Sequence, residues 1–352
     1  MSVVISTHNR CDQLPAAIAS VLDQQPGGPS FELIVVDNNS IDNTRRVVEE
    51  LQHAAAGDGR LRYAFERRQG LSHGRNAGVA RARGRIVAFT DDDVRVAPDW
   101  VAAIVRALDA HPDADFVGGR ILPRWPADPP RWLTREHWAP LAISDFGDEP
   151  RYVDRSKPLC LVGASLAVRR EVFDEFGGFD PAFQHEPGAV SAVEDHEFEL
   201  RLWRAGRRGL YSPDICIAAE VQPNRLEKRY HRRWHSDHGR MVARLERADE
   251  HYDRSGALVS APPYWLTLFG VPAWLYRSMA YHVAAGLYAG LLGRGAQAFW
   301  HETQLRESLG QMRHYLATRP RERHTSHLAE VGQFALALLR RRRSHDRLRA
   351  LS

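Results

Sequence analysis

Through the first 120 residues, short apolar runs alternate with stretches whose apolar positions recur every three or four residues. Val3–Ser6, Phe31–Val36, Leu61–Phe65 and Ile86–Thr90 read as strands buried on both faces, because their apolar runs are continuous. Between them, Gln13–Gln24 sets Leu14, Ala17, Ile18, Val21 and Leu22 on one helical face, and Asn43–His53 and Ser72–Arg83 read as further helices. Pro98–Ala110 is another, with proline in the first turn, where its fixed φ suits a helix. Asp115–Gly119 reads as a fifth strand. The repetition predicts an α/β fold with a mostly parallel central sheet covered by helices on both faces.

The pattern then changes twice. Residues 121–158 are rich in Pro and Trp without periodicity, and are expected to form loops that carry recognition. Leu159–Val168 regains strand-like composition, and Glu171–Phe176 is a short helix closed by Gly177-Gly178. A loop covers Phe179–Val193, before a helix from Glu194 to Ala205. From Arg225 the chain turns to long Arg-rich helices, with a break at Ala261-Pro262-Pro263 and a strongly apolar stretch at Tyr264–Leu292. Two regions follow: 1–224, divided near residue 120, and a basic, helical 225–352.

Composition adds an asymmetry. The 43% hydrophobic and 26% charged content belongs to a globular chain and excludes disordered and fibrous classes. The net charge of +4 hides 26 Lys and Arg against 33 Asp and Glu in 1–224, and 22 against 11 in 225–352. A basic C-terminal region points to an anionic surface or ligand. Cys11, Cys160 and Cys216 lie far apart, which excludes a disulfide framework and a cysteine-built zinc site and fits a reducing compartment. Ser2–Ser6 already reads as a strand rather than a secretory leader, so a cytoplasmic location is expected.

Ligands of such sheets bind beyond the carboxyl ends of strands. Here those ends are Thr7–Arg10, Asp37–Ser40 and Asp91-Asp92-Asp93, all polar. Crowded carboxylates repel one another, and a cation relieves the cost. Oxygen ligands suit Mg²⁺ or Mn²⁺ shared with a substrate phosphate. A solvated turn before the Pro98 helix is the alternative for the triplet alone; its place after a buried strand favours the cation.

Taken together and in order, these segments resemble glycosyltransferase family 2, whose fold is called GT-A. Val3–Arg10 is similar to the family's first strand and nucleotide-contacting loop, and Val35–Ser40 to its second. Gly70-Leu71-Ser72-His73-Gly74-Arg75-Asn76-Ala77-Gly78 resembles the stretch leading into the metal strand, and Phe89–Asp93 the metal motif. Gly177-Gly178-Phe179-Asp180 followed by Glu194-Asp195 resembles the acceptor-side segment, so that the likeness spans roughly residues 1–235.

The resemblance implies inverting transfer of a sugar from a nucleotide-sugar donor, UDP-linked in the reading preferred for Asp37, to a hydroxyl on a glycan or lipid-linked acceptor, in cell-surface or exopolysaccharide assembly. It makes Asp37 the nucleobase contact, with Thr7 and Arg10 lining that pocket and Asn9 and Asn39 in the same two loops. Asp91 serves the ribose side with Asp92 beside it, Asp93 ligates Mn²⁺ or Mg²⁺, and Arg75 and Asn76 fix the diphosphate or shape the pocket. Asp195 is the catalytic base and Glu194 hydrogen-bonds sugar hydroxyls.

Two stretches depart from the family. Where it often carries a metal-binding histidine, this chain has Ile217-Ala218-Ala219-Glu220, leaving Glu220, His231, His235 or water for that position. Tyr230-His231-Arg232-Arg233-Trp234 has tyrosine where processive synthases carry glutamine, so transfer is expected to be non-processive, with Arg233 and Trp234 in the acceptor pocket or packed within a helix. Trp125, Trp132 and Trp138 are read as sugar-stacking faces or as buried aromatics of a loop-rich subdomain. Ser278–Leu292 falls short of the ~20 residues a span needs. With the arginines it suggests peripheral attachment to an anionic membrane, against a helical subdomain or dimer interface. Arg340–Arg343 lacks any accompanying nucleic-acid module. Two rival readings remain: a sugar-nucleotide nucleotidyltransferase, which would want glycines at Thr7–Arg10, and a degenerate transferase that only binds.

Overall fold

The computed structural model describes residues 1–54, 59–186, 188–247, 251–252, 258–260 and 267–318. Its elements run β1 (Ser2–Thr7), α1 (Leu14–Leu22), β2 (Glu32–Asp37), α2 (Thr44–Ala54), β3 (Leu61–Phe65), α3 (Leu71–Arg81), β4 (Ile86–Asp91), β5 (Val94–Val96), α4 (Trp100–Ala110) and β6 (Phe116–Arg124). Then come β7 (Arg151–Val153), β8 (Leu166–Arg169), α5 (Arg170–Phe176), α6 (Glu194–Arg204), β9 (Gly209–Glu220), α7 (Lys228–Arg247), α8 (Ala273–Leu291) and α9 (Gly295–Ala317). The chain packs as two units. One comprises Met1–Gly188 with Ala192–Glu227; the other begins at Lys228 and takes in Ala189–Ser191.

The first unit is built on one mixed sheet in the order β3-β2-β1-β4-β8-β6-β9-β5, with β7 beside β9. All pairings among β3, β2, β1 and β4 are parallel. Beyond β4, β8 runs antiparallel to both β4 and β6, and only β6–β9 is parallel. The parallel character expected of the sheet therefore belongs to its first half. There, each return to a parallel strand passes through a helix, as parallel pairing requires.

Strand periodicity sends alternate residues to opposite faces. Val3, Ile5, Leu33 and Val35 enter a core with Leu14, Ile18, Val21, Trp100 and Ile104 of α1 and α4. Val4, Ile34, Val36 and Phe89 enter a second core with Ala77 of α3 and Phe198 and Leu202 of α6. Close packing of α3 on β1 depends on Gly74 and Gly78, where a Cβ would lie 2.0 Å from Ser6 Oγ and 2.3 Å from Val4 Cγ1.

Two expectations change. Leu159–Val168 is a strand only from Leu166; before it come irregular backbone and a single 3-10 turn, Gly163–Ser165. The backbone N–H groups of Leu161 and Gly163 turn to carboxylates of α6 instead of a neighbouring strand. Within 121–158, β6 continues to Arg124 and β7 is inserted, so the segment is less irregular than its composition predicts. In the second unit, α9 packs against both α7 and α8. The Ala261–Pro263 break, the start of the apolar stretch at Tyr264 and the Arg340–Arg343 cluster lie outside the described residues.

Candidate functional site

Parallel register aligns three polar strand ends. Thr7 is level with Asp37 on β2, and Ser6 with Asp91 on β4. Thr7 Oγ1 donates to Asp92 Oδ2 at 2.7 Å. Arg10, from the loop after β1, reaches Asp92 Oδ1 at 3.1 Å and Asp93 Oδ2 at 2.7 Å. Asp37 is buried and accepts from Ser40 N at 2.9 Å and from Tyr63 Oη at 2.9 Å. Asn9 and Asn39 hold positive φ angles of 53° and 65°, a region asparagine tolerates. Asn9 Oδ1 also accepts from Ile41 N at 2.8 Å, joining the two loops.

Arg75 stands where Asp91, at the end of β4, meets Glu194 and Asp195, at the start of α6. Its side chain is 4% exposed and its guanidinium lies 3.6 Å from Asp91, 3.2 Å from Glu194 and 2.5 Å from Asp195. Burial works against its charge, but Asp195, Asp91 and Glu194 more than offset that and raise its pKa further. Arg75, expected to fix the diphosphate or shape the pocket, is surrounded by three carboxylates. Asn76, assigned the same way, clasps the Phe179 backbone, with Nδ2 donating to the carbonyl at 2.8 Å and Oδ1 accepting from N–H at 2.9 Å. This latch ties α3 to the Gly177–Asp180 segment.

Asp195 accepts from Arg75 through one oxygen and from Gly163 N–H through the other, at 2.8 Å. Two of a carboxylate's roughly four acceptor positions are thereby filled, and the side chain remains 18% exposed. Glu194 is more deeply buried; that burial, with Asp195 beside it, raises its pKa against the pull of Arg75.

Gly163 and Glu199 were not singled out from the sequence. A Cβ on Gly163 would fall 2.5–2.6 Å from the Arg75 nitrogens and Asp195 Oδ1. Glu199 accepts from Leu161 N–H at 2.9 and 3.1 Å, and burial lifts its pKa well above the usual range. Its position one helical turn beyond Asp195 was the available signal. Tyr63, in the middle of β3 and level with Val35, had no motif to mark it.

The acidic run carries excess negative charge. Burial pushes Asp92 up to about 7 despite Arg10 and Thr7. Asp91 is raised too, by its enclosure and then by Asp93 and Asp195, although 36% of its side chain is exposed. Among the described residues no three His, Cys, Asp or Glu side chains form a metal-holding group. The donor set nonetheless fits a cation bound through one or two carboxylates, with phosphate and water as the remaining ligands, as Mg²⁺ prefers. The Asp93 carboxylate bonds Arg10 through one oxygen and makes no other hydrogen bond among the described residues.

Glu220 N–H donates to the Asp93 carbonyl at 3.0 Å, while its carboxylate pairs with Arg95 at 3.1 Å. His231 and His235 lie on α7 in the second unit, where His235 meets Glu307 at 2.8 Å. Arg233 and Trp234 are on the same helix, and Trp234 stacks on His238 with centroids 4.3 Å apart. Trp125, Trp132 and Trp138 are partly buried and pack on a small cluster of Leu133, Leu141, Ile143 and Val221.

The model of the family described as "Glycosyl transferase family 2" matches residues 2–177, half of the chain. The chain belongs to glycosyl transferase family 2. The matched span carries the polar ends of β1, β2 and β4 and Arg75, and ends before α6. Over 234 residues the transferase is 28% identical to glucosyl-dolichyl phosphate glucuronosyltransferase of Haloferax volcanii, covering 64% of this chain and 71% of that one. It is 37% identical over 111 residues to succinoglycan biosynthesis protein ExoO of Rhizobium meliloti, 31% of this chain and 30% of that relative's length. Its fold is similar to that of mannosyltransferase PcManGT from Pyrobaculum calidifontis, solved with GDP-Man and Mn²⁺, with a TM-score of 0.58, 20% identity and coverage of 91% and 87%. The fold is thus GT-A-like, followed by C-terminal helices.

Proposed function

We propose that this transferase moves a sugar, with inversion, from a UDP-linked donor to a hydroxyl of a glycan or lipid-linked acceptor in cell-surface glycan assembly. The observation that carries the reading is the Arg75 cluster, which joins Asp91 at the end of β4 to Asp195 at the start of α6. The glucosyl-dolichyl phosphate named for the Haloferax relative and the succinoglycan biosynthesis named for ExoO support the acceptor class.

In this mechanism Asp37 and Tyr63 frame the nucleobase pocket that Thr7 and Arg10 line, and Asp91 serves the ribose side with Asp92 beside it. A divalent cation on Asp93, when bound, neutralises charge gathering on the leaving diphosphate. Asp195 takes the proton of the acceptor hydroxyl as its oxygen bonds to the anomeric carbon. The bond from that carbon to the diphosphate oxygen breaks, and the nucleoside diphosphate leaves with the electron pair. Arg75 and Gly163 N–H hold Asp195 in place during the attack, while Glu194 meets sugar hydroxyls.

The test is incubation with Mn²⁺ and a panel of nucleotide sugars, measuring nucleoside diphosphate release with and without lipid acceptors. Metal-dependent turnover of a UDP-sugar is expected, and Asp93→Ala lowers it by about a hundredfold or more. Turnover of none of the donors would overturn the reading, and formation of nucleotide sugar from a nucleoside triphosphate would favour a nucleotidyltransferase.

A further inference from the structure

Within the second unit, exposed apolar residues gather on one element. Of the nine large hydrophobics exposed among the described residues, six fall at 281–292, on α8 or just past its end. Tyr281, Ala284, Leu287, Tyr288 and Leu291 recur at spacings of three and four, which puts them in one stripe along the helix. Leu287 is 67% exposed, Tyr288 65% and Leu291 87%. The opposite side packs on α9 and buries Leu275 and Ala289, so α8 has one covered and one open apolar face among the described residues.

Charge settles which partner suits that face. From Arg254 to His301 the chain has no Asp or Glu, while carrying Arg254, Arg277 and Arg294. Arg277 and Arg294 are exposed at the two ends of the open stripe. A second copy of this face would set arginine near arginine if helices met in parallel, and gains no acidic partner in either direction. No helix among the described residues is long and apolar enough to cross a membrane. An apolar face with tyrosines along it, arginines at its ends and no acids matches a helix lying in the interface of an anionic bilayer.

We propose that the open face of α8 docks the protein on the surface of anionic lipid bilayers, with Leu287, Tyr288 and Leu291 entering the headgroup boundary and Arg277 and Arg294 meeting lipid phosphates. The claim is independent of the sugar-transfer reading. Its test is flotation of the full chain with vesicles of phosphatidylcholine alone and with roughly one-third phosphatidylglycerol. Binding to the anionic vesicles is expected to exceed binding to the neutral ones, and Leu287→Glu with Leu291→Glu to weaken it by about tenfold or more. Arg277→Gln with Arg294→Gln reduces the preference for anionic lipid. Circular dichroism checks that each variant is folded. Tetranitromethane should nitrate Tyr281 and Tyr288 in the free protein, and anionic vesicles should protect both. Failure to float, equal binding to both vesicle types, or binding unchanged by the leucine variants overturns the proposal. So does a dimer that the leucine variants dissociate, or tyrosines unreactive before lipid is added, either of which means that protein covers the face.

Discussion

On the side of the sheet formed by β3, β2, β1 and β4, each polar cluster follows its strand directly, and parallel register brings the clusters together. On the other side, α6 presents Glu194, Asp195 and Glu199 to Arg75 of α3 and to the backbone of Leu161 and Gly163. These partners are separated by up to 120 residues in the chain. The first arrangement comes from local strand-to-loop geometry; the second exists only when distant segments dock. Arg75 touches both, with Asp91 on one side and Glu194 and Asp195 on the other. Donor binding should therefore survive changes that disturb the acceptor side, while changes at Arg75 should damage both.

Arg75→Met breaks that comparison most severely. It leaves three carboxylates around an apolar side chain, and an uncompensated buried charge costs about 3–5 kcal/mol. Urea denaturation should show that loss, and transfer should fall with it. Unchanged stability would mean that the cluster is not held by the guanidinium. Gly163→Ala acts chiefly on the Asp195 side, because its Cβ would press on Asp195 and on the guanidinium that holds it. Overpacking of this kind costs about 1–3 kcal/mol, and transfer should fall more than affinity for the donor. Equal losses in both would contradict the division.

Glu199→Gln gives the smallest effect and sharpens the comparison through pH. The folded-state pKa of Glu199 is raised above its ordinary 4.5, so the native protein binds this proton more tightly than the unfolded chain. Its contribution is present below 4.5 and is lost as pH rises towards the raised folded value. The variant should flatten the decline in stability above pH 4.5 by at most about 1.4 kcal/mol per pH unit, read from urea midpoints across pH. An identical pH slope in both proteins would remove Glu199 from this account.

The same contrast explains what could be read in the chain. Val3–Ser6, Phe31–Val36, Leu61–Phe65 and Ile86–Thr90 matched their strands to within a residue or two, because doubly buried strands need continuous apolar runs. Helix ends shifted slightly: α3 stops at Arg81, where Ala82 turns extended, rather than at Arg83. Val94–Val96 was not read as a strand, since three residues after an acidic turn carry no period, and its partner Ile217–Ala219 lies over a hundred residues away. Leu159–Val162 has strand composition, but Leu161 N–H goes to Glu199 and the following Gly163 N–H to Asp195, partners that no local pattern announces. Asn76 and Arg75 stood out by residue type, but their partners Phe179 and Asp195 depended on the docking of α6 and its preceding loop.

Asp195→Asn tests the central claim most directly, with donor affinity measured by calorimetry and transfer by product formation on the same preparation. The mechanism predicts donor affinity close to that of the parent protein and transfer reduced by about 10²–10⁴-fold, the scale of general base catalysis. Transfer at the parent rate would contradict it, because Asp195 would then not be the group that takes the acceptor's proton.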